Sequence, residues 1–170
     1  MENQNNNDNF SKIAIVFDHD GTLVDTRGLN PLVFPKIQEL LSELSQLNVD
    51  LYLWSLRPRA SLVRITKEVG IFHYFRDLSG ADDGLNPKPH PEGLMRLLDG
   101  YEKNLVCHIG DGGGDYNGAK MLKIPFIAAC WNDPSYGKQW DELKKEYPNM
   151  KVAYSPIEIL PMLREFGVLR

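Results

Sequence analysis

The run Ile13-Ala14-Ile15-Val16-Phe17 is apolar without interruption and rich in β-branched residues. A strand buried on one face alternates apolar and polar positions, whereas one buried on both faces reads as a continuous run, the mark of a parallel α/β sheet. Three later runs repeat the pattern: Leu51-Tyr52-Leu53-Trp54, residues 105–109 and Phe126-Ile127-Ala128-Ala129. Between them apolar residues recur every three or four positions. Ile37, Leu40, Leu41, Leu44 and Leu47 predict a helix over residues 35–47, and Leu62, Val63, Ile65, Thr66 and Val69 predict another over 59–69, closed by Gly70. Further helices are expected over residues 92–98, 117–122, 138–147 and 156–166, with a short strand at Val152-Ala153. Strands alternating with helices predict a central, mainly parallel sheet flanked by helices. A chain of 170 residues with 42% apolar content is enough for one such core.

Burial breaks immediately after Phe17. Asp18 and Asp20 arrive at the strand's carboxyl end, where open parallel sheets place their ligands, and Gly21 lets the backbone turn away. Two carboxylates about 4 Å apart at an effective dielectric near 20 repel by roughly 4 kcal/mol, so the pair calls for a cation. Oxygen ligands of this kind suit magnesium, which takes one or two carboxylates plus substrate phosphate. The alternative is that both aspartates simply start a turn.

Three other stretches carry chemistry. Ser55 closes the second strand, where its hydroxyl can donate to a phosphoryl oxygen or merely shape a turn. Arg57 offers a planar donor fork for phosphate, or is a solvated surface arginine. Asn86-Pro87-Lys88-Pro89-His90-Pro91 presents Lys88 from a stiff loop, and an ammonium fixed beside Asp18 would keep that carboxylate ionised. Gly110-Asp111-Gly112-Gly113-Gly114-Asp115 follows an apolar strand and allows the backbone close to an ion or phosphate. Asp115 also stands where an aspartate favours a helix start.

Asp18-His19-Asp20-Gly21-Thr22-Leu23-Val24-Asp25 resembles the first motif of the haloacid dehalogenase superfamily. Ser55, Lys88 in its Lys-Pro-x-Pro context, and Gly110-Asp111 followed by Asp115 resemble the remaining three motifs in order. The resemblance implies a three-layer Rossmann-like fold. It also implies a magnesium-dependent phosphomonoester hydrolase in which Asp18 attacks phosphorus, Asp20 is acid and base, and an aspartyl phosphate forms. By the same resemblance Ser55 and Lys88 steady the phosphoryl group, and Asp18, Asp20 through its carbonyl, Asp111 and Asp115 make the metal site. Tyr74-Phe75, Lys88-Pro89-His90-Pro91-Glu92 and residues 110–127 are most similar to phosphoglycolate-phosphatase-like members, although Leu56 stands where those carry asparagine. Such relatives insert a helical cap of many tens of residues after the first motif, for which this sequence has no room. Capless members tend to act on bulky phosphorylated substrates or to borrow a roof from a neighbouring subunit.

The expectation is therefore one capless domain over residues 11–170 behind a disordered polar tail at 1–10, acting on a phosphorylated substrate such as a phosphoprotein. A small-metabolite phosphatase roofed by oligomerisation, a phosphotransferase, and a phosphate-binding module without turnover are the alternatives. A net charge of −4 argues against a broad nucleic-acid footprint. No apolar run approaches the ~20 residues of a membrane span, and the polar start is no signal peptide. Cys107 and Cys130 alone make neither a zinc cluster nor a disulfide framework, which points to the reducing cytoplasm. His19, His73, His90 and His108 share no ligand spacing, and alternation along the strand turns His19 away from Asp18 and Asp20.

Overall fold

The computed structural model describes residues 12–170, so the tail expected at residues 1–10 lies outside the described residues. Among the described residues, β1 (Ile13–Phe17) leads to a two-stranded antiparallel hairpin, β2 (Val24–Asp25) and β3 (Leu32–Val33). There follow α1 (Ile37–Ser45), β4 (Val49–Trp54), α2 (Arg59–Glu68), β5 (Asp77–Ser79), α3 (Glu92–Leu97) and β6 (Val106–Gly110). The chain ends with α4 (Gly113–Leu122), β7 (Phe126–Ala129), α5 (Gly137–Glu146), β8 (Met150–Ala153) and α6 (Ile159–Glu165). The six-stranded sheet runs β5-β4-β1-β6-β7-β8 with every pair parallel.

The alternation within β1 splits the interior into two apolar layers. Ile15 and Phe17 face a cluster with Leu40, Leu41 and Leu44 of α1, Leu62 and Ile65 of α2, and Ile159 and Leu163 of α6. Ala14 and Val16 face a second with Leu94 and Leu97 of α3, Tyr116 and Ala119 of α4, and Trp140 of α5. Helices thus cover both faces, which explains why β1 is a run with no polar break. Phe72, Tyr74 and Phe75 pack against the first cluster, and Phe75 meets Phe17 edge-on at 6.5 Å. Among the described residues no helix is long and apolar enough to cross a membrane.

The strand order reverses between β4 and β6, on either side of β1. At such a reversal the loops leaving the carboxyl ends part company and open a crevice.

Four features differ from expectation. β5 and the β2–β3 hairpin were not foreseen, since strands of three and two residues leave no apolar run to read. The helix expected from residue 117 starts at Gly113, because Asp115 accepts the Gly112 N–H at 3.0 Å and so caps a glycine-rich first turn. α1 is shorter at its start than expected, since Lys36 takes a left-handed conformation at φ 71°.

Candidate active site

The Asp18 N–H still bonds to the carbonyl of Ile109 at 2.8 Å, so the first aspartate is held against β6 as the chain leaves the sheet. The turn then closes tightly, with the N–H groups of Leu23 and Val24 both 3.0 Å from the carbonyl of His19. Gly21 sits at φ +81°, and a Cβ there would lie 2.1 Å from Asp111 Oδ2. Only glycine lets this turn pass beside that carboxylate. Gly110 meets a similar demand at the end of β6, where a Cβ would fall 2.3 Å from Asp115 Cγ.

Lys88 reaches in from the loop before α3, its side chain 3% exposed. The ammonium donates to Asp18 Oδ1 and Asp115 Oδ1, both at 2.6 Å, and lies 4.7 Å from the ring centroid of Trp54. His108 Nε2 is 2.9 Å from Asp115 Oδ1 and its Nδ1 is 3.0 Å from the Val16 carbonyl, so the imidazole ties Asp115 to the strand beneath. Thr22 Oγ1 stands between the other two aspartates, 3.3 Å from Asp111 Oδ1 and 3.5 Å from Asp18 Oδ2.

The electrostatics are uneven. Burial pulls the Lys88 pKa down, but Asp115 and Asp18 outweigh it and hold the ammonium charged. Burial favours neutral Asp115 as well, yet Lys88 and His108 bring its carboxyl down to about 2. Asp18 goes the other way, because burial outweighs Lys88. Asp111 has no cation of its own and is pushed up to about 7 by burial and by the charges of Asp18 and Asp115.

Ligand oxygens of Asp18, Asp111 and Asp115 lie within 4.8 Å of one another. An all-oxygen cluster with more negative than positive charge fits a hard divalent cation. Both oxygens of Asp115 are already engaged by Lys88, His108 and the Gly112 N–H, which suits it to orienting its neighbours. Asn132 and Trp140 line a cavity of about 40 Å³ against Asp111, and Asn132 Oδ1 and Trp140 Nε1 are buried there without partners. That is room for the water a hydrated cation carries.

An acid whose pKa is higher folded than unfolded takes up protons on folding. Its stabilising contribution is full below the ordinary carboxylate range and is lost as pH rises through the folded value, here about 7 for Asp111. In chelator-treated protein the denaturation midpoint is expected to fall between about pH 5 and 8, and to fall less in Asp111→Asn. Equal slopes in the two proteins would rule out this carboxylate as the source.

Of the residues singled out from sequence, Asp18, Lys88, Asp111 and Asp115 converge. Asp20 does not join them with its carboxylate. Thr26 Oγ1 donates to Asp20 Oδ1 at 2.7 Å, and Arg57 grips the same group with Nε at 3.1 Å from Oδ2 and Nη2 at 2.5 Å from Oδ1. Burial alone would raise the Asp20 pKa, but His19, Arg57 and Thr26 carry it below the usual carboxylate range. Ser55, 3% exposed at the end of β4, accepts the Arg57 N–H at 3.1 Å and so shapes the turn. His19 is fully buried with Nδ1 3.5 Å from Asp20 Oδ1, because strand alternation stops at Phe17.

Thr22, Thr26, Trp54, His108 and Asn132 were not singled out for the site from sequence. His108 alone had a legible signal, as a polar residue inside a buried strand. The others depend on which loops meet.

A family model described as haloacid dehalogenase-like hydrolase matches residues 29–129. The phosphoglycolate phosphatase of Yersinia pseudotuberculosis is 25% identical over 87% of this chain and 62% of its own length. That of Escherichia coli is 26% identical over 77% of this chain and 51% of its own length, so the chain spans half to three fifths of these relatives. Among solved structures, a haloacid dehalogenase-like family hydrolase from Streptococcus pneumoniae superposes with a TM-score of 0.73 at 22% identity, covering 89% of this chain and 98% of that one. A hydrolase of the same superfamily from Geobacter sulfurreducens gives 0.70 at 17% identity, covering 89% and 96%.

Proposed function

Because this chain belongs to the haloacid dehalogenase-like hydrolase family, we propose that it is a magnesium-dependent phosphomonoester hydrolase working through an aspartyl phosphate. The observation that carries the reading is the buried ammonium of Lys88 shared by Asp18 and Asp115 beside Asp111. A structural ion pair has no need of a third carboxylate left without a cation.

Asp18 Oδ2, which among the described residues meets only the Thr22 hydroxyl at 3.5 Å, is the nucleophile, since Oδ1 is pinned by Lys88. It attacks phosphorus in line while Asp20, once it has left Arg57 and taken up a proton from solvent, gives that proton to the leaving oxygen, and Asp20 then takes a proton from the water that hydrolyses the acyl phosphate. Lys88 offsets charge on the phosphoryl oxygens, and the Ser55 hydroxyl adds one donor. Asp18, Asp111 and the Asp20 carbonyl would hold magnesium, with Asp115 positioning them, and the bound ion would supply Lewis-acid charge neutralisation.

The absence of a cap among the described residues, where residues 26–31 merely turn the β2–β3 hairpin, supports a single open domain and a bulky substrate such as a phosphoprotein. The net charge of −4 disfavours nucleic acid. Free Cys107 and Cys130 agree with the cytoplasm. The relatives named phosphoglycolate phosphatase favour a second reading, a small-metabolite phosphatase whose site another subunit covers. Hydrolysis of phosphopeptides and of small phosphorylated metabolites, with and without chelator, tests both. Turnover abolished by chelator and restored by magnesium is expected. Turnover insensitive to chelator excludes the proposal, and activity confined to metabolites selects the second reading.

A further inference from the structure

The loop after β7 is fastened at three points, with one unpartnered polar atom between them. The Cys130 N–H donates to the Ala153 carbonyl at 2.7 Å, the Trp131 indole donates to the Thr22 carbonyl at 3.0 Å, and Asp133 Oδ1 accepts the Ser135 N–H at 3.0 Å. Among them lies Asn132, whose Oδ1 is buried without a partner. The same cavity of about 40 Å³ is lined by Trp140 of α5, whose Nε1 is also buried without one. Phe126 and Tyr116, with ring centroids 6.0 and 6.3 Å away, hold the Trp140 ring in place.

A buried donor and a buried acceptor thus share one small cavity, a combination that protein interiors satisfy with water. A water on the cation has its lone pair engaged by the metal and only hydrogens to give, which Asn132 Oδ1 can take and Trp140 Nε1 cannot. Trp140 therefore needs a water that the metal does not hold, and at roughly 10–15 Å³ for each the cavity has room for both. On the other side of Asn132, a Cβ on Gly21 would lie 2.9 Å from Asn132 Nδ2 and 2.1 Å from Asp111 Oδ2, so the amide nitrogen and that oxygen flank one point. Thr22 Oγ1 stands between Asp111 Oδ1 and Asp18 Oδ2, which turns Oδ1 toward the cation cluster and leaves Oδ2 for Asn132.

We propose that Asn132 is a positioning residue that selects the cation: a buried water joins Trp140 Nε1 to Asn132 Oδ1, and the amide nitrogen so oriented donates to Asp111 Oδ2, leaving Asp111 one oxygen for the metal. This rests on the phosphatase reading and adds to it a basis for metal choice. The amide is set between a donor and an acceptor, so its oxygen belongs on the Trp140 side and its nitrogen on the Asp111 side. Magnesium demands near-octahedral geometry from single oxygens at short range, whereas calcium takes more ligands, often both oxygens of a carboxylate. A carboxylate pinned by one oxygen therefore favours the smaller ion.

The test reads metal binding rather than turnover. Free manganese is followed by electron paramagnetic resonance in wild type, Asn132→Ala and Trp140→Phe, with magnesium and calcium as competitors. The ratio of calcium to magnesium affinity is expected to rise by at least about tenfold in Asn132→Ala. A smaller rise is expected in Trp140→Phe, which keeps an aromatic ring and removes the N–H. General loosening of the loop would weaken both ions alike, so an unchanged ratio in Asn132→Ala overturns the proposal, and an unchanged ratio in Trp140→Phe overturns the water bridge. A second arm uses nuclear magnetic resonance to follow cross-relaxation between the Trp140 indole N–H and water. A long-lived contact in wild type that is lost in Asn132→Ala supports the bridge, and its absence from wild type overturns it. A wild type that binds manganese yet hydrolyses no phosphomonoester removes the phosphatase reading and leaves the affinity ratio to decide Asn132, whereas a wild type that binds no manganese overturns the proposal itself.

Discussion

Asp18→Asn is expected to lower magnesium-dependent phosphomonoester hydrolysis by at least about 10⁴-fold, with the fold intact. On the proposed mechanism a carboxylate oxygen of Asp18 bonds to phosphorus, and phosphate monoesters react with water so slowly that no neighbouring group makes up for its loss. Asparagine keeps the shape of the side chain and can still accept from Lys88, so near-ultraviolet circular dichroism should match the wild type. The measurement is steady-state hydrolysis of an aryl phosphate, joined to mass spectrometry of quenched enzyme for a phosphoryl adduct on Asp18. Retained hydrolysis in Asp18→Asn would falsify the covalent mechanism outright.

The second large effect is on stability. Lys88→Met removes the cation from between two buried carboxylates and forfeits its contact with Trp54. Breaking a buried pair by deleting one partner commonly destabilises by about 3–5 kcal/mol, because the remaining charge stays buried without compensation. Asp115→Asn added to Lys88→Met should recover part of that loss, since the orphaned carboxylate is then gone. Urea denaturation of the two single variants and the double variant measures the coupling. Additive losses would mean that the ammonium and Asp115 do not act as a pair. Hydrolysis is expected to vanish in both variants that lack Lys88.

How far the chain could be read in advance depended on whether a feature was local. β1, β4, β6 and β7 announced themselves because strands buried on both faces read as nearly continuous apolar runs, interrupted here by Asp50 near the start of β4 and by His108 in β6. β5 carries Asp77 and Ser79 at a sheet edge, where polar residues are tolerated and no pattern forms. In the site, Lys88 was legible from the prolines around it, and Asp111 and Asp115 from the glycines that admit them. The grip of Arg57 on Asp20 was not, because it joins the end of β4 to the turn after β1 and depends on a register between parallel strands. His108 stood out as a polar residue in a buried strand, but its bond to Asp115 was not legible, because that partner lies beyond the glycine loop on the first turn of α4.

The hairpin after the first motif has one more consequence. Its paired rungs, Val24 with Val33 and Asp25 with Leu32, bring the outgoing and returning chain side by side, and Leu29 at the tip is fully exposed. A segment spliced between them would start and finish at adjacent points and leave the packed layers below at their present length. Because Thr26, at the foot of that loop, touches Asp20, such a graft would stand one side chain from the aspartate proposed as proton donor. The fold therefore carries a ready socket through which reactivity can be retuned by additions made wholly outside the sheet.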